Sequence, residues 1–167
     1  FWTFLLILHE TKTPAMIQRI QSLYLLVALL VTGSLLFTNM LYLETTTASM
    51  ALRQNGLFEV TGNADLIGRT MPLQLMLTVT LLLLLVTIFL FKKRQLQLRI
   101  CGINLAMHAG LSVLIFYYGK HFSKLFNAEL SFNWPLVLPV VSIVLLLLAM
   151  RSILSDELLI KSIDRIR

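Results

Sequence analysis

The stretch "FLFKKRQLQLRICGIN" (89–104) places Lys92, Lys93, Arg94 and Arg99 between two intensely apolar segments, and its reading decides the rest of the chain. As a nucleic-acid contact it is poor: the run is short, carries no interleaved aromatic residues, and lies within a few residues of apolar sequence on both sides. As a connection between two membrane crossings it is well made, because Lys and Arg stems snorkel along the acyl boundary while their charges reach anionic headgroups. Working outward from it, the chain reads as an integral membrane protein.

Composition agrees. Of 167 residues 57% are hydrophobic and only 13% charged, and the mean hydropathy of +0.84 lies far above the soluble norm. The net charge of +6 is scattered as punctuation between apolar runs and is not gathered on one solvated face, which argues against a nucleic-acid partner. A single cysteine, Cys101, excludes an intramolecular disulfide and a thiolate metal cluster.

A bilayer crossing needs about 20 predominantly apolar residues, since a helix advances about 1.5 Å per residue and lipid offers no partner to open backbone groups. Four segments are expected to meet this: 22–43, 72–91, 98–118 and 134–150. The second opens "TMPLQ", with Thr70 expected to cap the first turn and Pro72 placed where its missing N–H does no harm. The fourth opens "NWPLVLP" in the same style, and Pro139 a turn further in is expected to bend it. The segment 1–15, "FWTFLLILHETKTPA", is too short and too poorly charged for a crossing or a signal peptide, and is expected to be an upstream or non-native extension of a domain starting at Met16.

Lys and Arg fix the expected direction. Ten (Lys12, Arg19, Lys92, Lys93, Arg94, Arg99, Arg151, Lys161, Arg165, Arg167) fall on one side of the four segments and four (Arg53, Arg69, Lys120, Lys124) on the other. By the positive-inside rule both termini and the 92–99 connection face the cytoplasm. Tyr42, Tyr117, Tyr118 and Trp134 then form an aromatic belt at the outer ends. In the outer loop "MALRQNGLFEV" (50–60), Asn55-Gly56 is the signature of a small β-hairpin. The tail 152–167 reads as an amphipathic cytoplasmic helix lying along the interface, its Asp164 within expected reach of Arg19.

The third segment carries the candidate chemistry. Gly102, Ala106 and Gly110 recur every four residues, a stripe that lets another helix approach closely. Asn104, His108 and Ser112 repeat at the same interval, displaced by about 200° around the helix. His108 lies about 15 Å up the segment, near the bilayer midplane. Thr32, Ser34, Thr78, Thr80 and Ser142 of the other segments fall near that level, so a polar layer is expected there. One version makes His108 a proton-handling or ligand-binding group. The other makes it a neutral hydrogen-bonded strut between helices, contributing about 0.6 kcal/mol or somewhat more per bond. His108 and His121 stand 13 positions, about 20 Å, apart along a helix, and His9 lies in the extension, so no shared metal site is expected. No HExxH, cysteine pair, phosphate loop or Ser/His/Asp grouping is present, so neither a catalytic constellation nor a cofactor is expected.

Three stretches together, "MIQRIQSLYLLVA" from Met16, "FKKRQLQLRICGIN" from Phe91 and "DELLIKSIDRIR" from Asp156, resemble a family of small bacterial membrane proteins of unknown function, typical of the Bacteroidetes. The resemblance implies four spans and the bacterial inner membrane, and it supplies no activity. The sequence expectation is therefore an all-α membrane domain over 16–167, a four-helix bundle with at most a small hairpin outside. Its function is read as a non-enzymatic accessory or structural subunit, in lipid and in contact with itself or another membrane protein through the Gly102 stripe. The alternative is a carrier or binding protein for a small lipid-like or protonatable ligand at the polar layer.

Overall fold

In a computed structural model, residues 13–45, 48–60 and 65–164 are described, except the side chains of 13–19, 92 and 156–164. In chain order the elements are α1 (Thr13–Ser34), β1 (Leu41–Glu44), β2 (Ser49–Arg53), β3 (Gly56–Glu59), β4 (Leu66–Arg69), α2 (Met71–Phe89), α3 (Arg94–Phe126), β5 (Glu129–Phe132) and α4 (Leu138–Asp164). Short 3-10 turns, Leu90–Lys92 and Trp134–Val137, precede α3 and α4.

On each helix the buried positions recur at intervals of four and three. The series runs through Gln21, Leu25, Ala28 and Thr32 on α1, Leu73, Leu77, Thr80, Leu84 and Thr87 on α2, Gln97, Cys101, Asn104, His108, Leu111 and Ile115 on α3, and Ser142, Leu146, Ala149 and Ile153 on α4. This spacing keeps one narrow stripe turned toward neighbouring helices and leaves the rest of each surface apolar and exposed. Contacts close a ring: α1 packs on α4 and α2, and α3 packs on the same two.

The all-α expectation is corrected by a five-stranded antiparallel sheet, ordered β4-β3-β2-β1-β5, at one end of the helices. The overturned reading is that of 22–43 as one span. The helix stops at Ser34, and Leu41–Glu44 becomes a central strand pairing Leu41 with Leu52 on one side and Phe132 on the other. Leu41 and Leu43 face the core while Glu44 is exposed, the period-two pattern of a strand. The first apolar helix described is then only Ile20–Ser34. Among the described residues three helices are long and apolar enough to cross a membrane: Met71–Phe89, Arg94–Phe126 and Trp134–Ser155. Four apolar helices of crossing length are accordingly not found among the described residues.

Local details shift as well. The hairpin between β2 and β3 exists, but Gly56 pairs with Arg53 as a strand residue, leaving Gln54 and Asn55 as the turn. Neither has positive φ, so the Asn-Gly primed turn is not used. Thr70 sits at the N-cap position of α2, yet its hydroxyl donates to the Gln54 carbonyl at 3.1 Å and not to the helix. It ties the hairpin turn to the helix start. At α4 the 3-10 turn absorbs the first proline, and Pro139 becomes the second residue of the α-helix, where it bends nothing. Asn133 does cap, accepting from the Trp134 N–H at 2.9 Å. The tail is no separate helix either: α4 continues unbroken to Asp164. The Asp164 and Arg19 side chains lie outside the described residues, as does the whole of 1–12.

The sheet rests on the upper end of α3. A Cβ on Gly119 would meet Leu41 Cδ1 at 2.6 Å, and one on Gly68 would meet Phe122 Cε1 at 3.3 Å. These contacts belong to an apolar cluster of Leu35, Met40, Leu41, Leu43, Leu52, Leu57, Leu73, Leu77, Leu111, Ile115 and Phe122. A second cluster, Leu25, Ala28, Leu84, Cys101, Leu146, Ala149 and Ile153, fills the other end of the helices. The Gln21 amide donates to the Ser152 carbonyl there at 3.3 Å, so α1 begins where α4 nears its end.

Candidate functional site

Between the two apolar clusters lies a polar layer built by all four helices. His108 of α3 is wholly buried, with Nδ1 2.8 Å from the Asn104 carbonyl and Nε2 2.9 Å from Thr32 Oγ1 of α1. A carbonyl only accepts, so Nδ1 carries the proton and a neutral ring must accept at Nε2 from the Thr32 hydroxyl. Thr32 Oγ1, its proton spent, accepts in turn from Ser142 Oγ of α4 at 3.0 Å. The result is a directed chain from Ser142 to Thr32 to His108 to the Asn104 backbone.

Asn104 extends the layer to α2. Its Nδ2 donates to Thr87 Oγ1 at 3.1 Å, while the Thr87 hydroxyl donates to Leu83 O at 2.6 Å within its own helix. One turn below Cys101, Gln97 donates from Nε2 to the Thr87 carbonyl at 3.1 Å. Thr32, Thr87, Gln97, Asn104, His108 and Ser142 are all buried.

Of the residues expected in the layer, the structure joins Thr32, Asn104, His108 and Ser142. It leaves Ser34, Thr78 and Thr80 bonded to their own helices, through Val31 O, Gln74 O and Met76 O, with Thr78 exposed. Ser112 likewise bonds back to His108 O at 2.9 Å. Sequence reading missed Gln97 and Thr87. Both were findable, because 97, 101, 104 and 108 share the three-and-four spacing of one face, as do 80, 84 and 87 on α2.

Among the described residues the small-residue stripe is not a close helix contact. A Cβ on Gly102 would have nothing within 4 Å, Ala106 is exposed, and only Gly110 is covered, by the Met76 side chain of α2. Lys93 and Arg99 are exposed, Arg94 half-buried. Cys101 is buried among apolar neighbours.

Two further features lie at the sheet end. A cavity of about 460 Å³ is lined by Glu44, Thr45, Phe126, Asn127 and Glu129, with the two glutamates directly opposite on paired strands. Tyr117 stacks on His121 at 6.1 Å, with His121 exposed and far from the buried His108. Among the described residues no group of three or more His, Cys, Asp or Glu is placed to hold a metal ion.

Fold and site together define a protein with three helices long and apolar enough to cross a membrane, an internal polar layer and an antiparallel sheet over one end. The chain belongs to the family described as Domain of unknown function (DUF4293), whose model matches residues 17–166. No curated protein matches it.

Proposed function

We propose that the chain is a multi-pass protein of the bacterial inner membrane acting as a non-enzymatic accessory subunit, with the Lys93 and Arg94 end cytoplasmic and the sheet outside. The observation that carries this reading is the state of His108. It is the one buried Asp, Glu, Lys, Arg or His among the described residues, and both its nitrogens are held by the protein's own atoms, at 2.8 and 2.9 Å. A group so engaged locks helices together; a ligand would have to displace an existing bond to reach it. Orientation rests on the excess of Lys and Arg at that end. The assembly face is the outward part of the stripe, Gly102 and Ala106, where none of the described residues covers the helix.

Native mass spectrometry on protein extracted gently from its own membranes tests the reading. A stoichiometric second polypeptide or second copy is expected, lost in Ala106→Leu while the monomer stays folded. A monomer carrying a reproducible small-molecule mass, lost in His108→Leu, would instead establish the carrier alternative.

A further inference from the structure

Two side-chain amides on α3 are left half-answered. Gln97 is 1% exposed and Asn104 0%, and neither Gln97 Oε1 nor Asn104 Oδ1 has a hydrogen-bond partner among the described residues. Their orientations are dictated by Thr87. Its carbonyl can only accept, so Gln97 must turn its NH2 group toward it. Its hydroxyl proton is committed to Leu83 O, so the oxygen can only accept from Asn104 Nδ2. Flipping either amide would break a bond and orphan a donor in place of an acceptor. Both oxygens are therefore fixed acceptors in the interior, where an unanswered polar group costs about 1–3 kcal/mol.

The chemistry of the surroundings selects what answers them. An anion is excluded, because both atoms are acceptors. A metal ion or protonated amine would enter past Lys93, Arg94 and Arg99 and meet no buried carboxylate among the described residues to balance its charge. A lipid chain has no donor. Water is neutral, small, and donates twice, and buried waters ordinarily satisfy such groups.

We infer that Gln97 Oε1 and Asn104 Oδ1 form an internal water site in the half of the protein nearest Lys93 and Arg94. Gln97 lies about 5 Å along the axis from Arg94 and Asn104 about 10 Å beyond that, so the water enters from this end. It stops at the Thr32–His108–Ser142 layer, above which Leu35, Leu77, Leu111 and Ile115 are apolar and wholly buried. The water is thus local to these two amides on the Lys93 side of His108, within an end otherwise packed by Leu25, Leu84, Cys101, Leu146 and Ile153, and independent of any role in assembly.

Water-edited solid-state NMR of the full chain in lipid bilayers decides this. Magnetisation from water is expected to reach the side-chain amides of Gln97 and Asn104 several-fold faster than the methyls of Leu111 and Ile115. Equally slow transfer to all four would overturn the inference. In Gln97→Met the transfer to Asn104 is expected to fall at least two-fold. Unchanged transfer there would overturn a shared site even if Asn104→Leu fails to fold. A shift of the Gln97 and Asn104 carboxamide carbons on replacing sodium chloride by choline chloride would make the occupant a cation and overturn water. The lone thiol of Cys101, on the same face between the two amides, gives an independent reading. Its S–H stretch is expected to exchange in deuterated buffer within minutes, and persistence for days would count against the site.

Discussion

At the residue scale, Thr32 is the joint of the polar layer, since one hydroxyl serves both His108 and Ser142. Removing it leaves a buried ring nitrogen and a buried serine unanswered. Thr32→Val, nearly equal in volume, is expected to destabilise the protein by about 1–2 kcal/mol, whereas Thr32→Ser recovers most of the loss. Reversible denaturation in mixed detergent micelles checks this. Equal stability of the two variants would mean that the chain of hydrogen bonds contributes nothing to holding α1, α3 and α4 together. His108 and Asn104 were legible in the sequence because a polar residue in an apolar run stands out. Thr32 and Ser142 were expected at the same level but not singled out, because Thr32, Ser34, Thr78 and Thr80 are chemically interchangeable until helix rotation decides which hydroxyl faces inward and which bonds back to its own carbonyl.

At the element scale, glycine separates the contacts inside the chain from the surface it offers. Gly56 on β3 packs against the Gly68 carbonyl and the Leu66 side chain of β4, so an added methyl must push the two strands apart. Gly56→Ala is expected to cost about 1–3 kcal/mol, the ordinary penalty of overpacking. Gly102→Ala meets nothing and, by raising helix propensity, is expected to leave stability unchanged or increase it by up to about 1 kcal/mol. The same denaturation assay compares them, and a larger loss at Gly102 than at Gly56 would show that the stripe is covered within the protomer. β4 and β5 escaped the sequence reading for a related reason. "LIGR" and "ELSF" are four-residue strands whose place comes from pairing with β3 and β1. Strand preference is largely the chance to fit a neighbour, so short edge strands announce themselves weakly.

At the scale of the whole molecule, the helices and sheet make opposite ends chemically distinct. α3 exceeds a bilayer's hydrocarbon thickness: 33 residues extend about 50 Å against about 30 Å. Its uncharged stretch, 100–119, matches that slab, with Arg99 at one border and Lys120 at the other. If these borders sit at opposite faces of the membrane, Asn55→Cys in the sheet turn and Lys93→Cys below α2 are labelled from opposite sides. In intact spheroplasts a membrane-impermeant maleimide is expected to label Asn55→Cys at once and Lys93→Cys only after permeabilisation. The buried Cys101 is expected to leave the wild type unlabelled. Labelling of both variants in intact spheroplasts would remove the proposed orientation.

The sequence by itself determined where the long apolar helices run. Apolar stretches bounded by Lys and Arg specify helices in lipid, since a bilayer leaves an isolated backbone segment only that way to satisfy its own polar groups. Helices α2, α3 and α4 followed from that constraint, the polar stripe on α3 from residue spacing, and the hairpin near Gly56 from its Asn-Gly pair. Only the tertiary structure decided where an apolar run stops being a helix. Residues 22–43 are predominantly apolar, broken only at Ser22, Thr32–Ser34 and Thr38–Asn39, and a mostly apolar run carries no period to distinguish helix from buried strand. The choice at Leu41 is made by partners 11 and 91 positions away, Leu52 and Phe132, whose backbone groups complete a sheet no local pattern encodes. The same holds for the polar layer: which hydroxyl meets His108 is a matter of how four helices are rotated against one another, and that is fixed by packing.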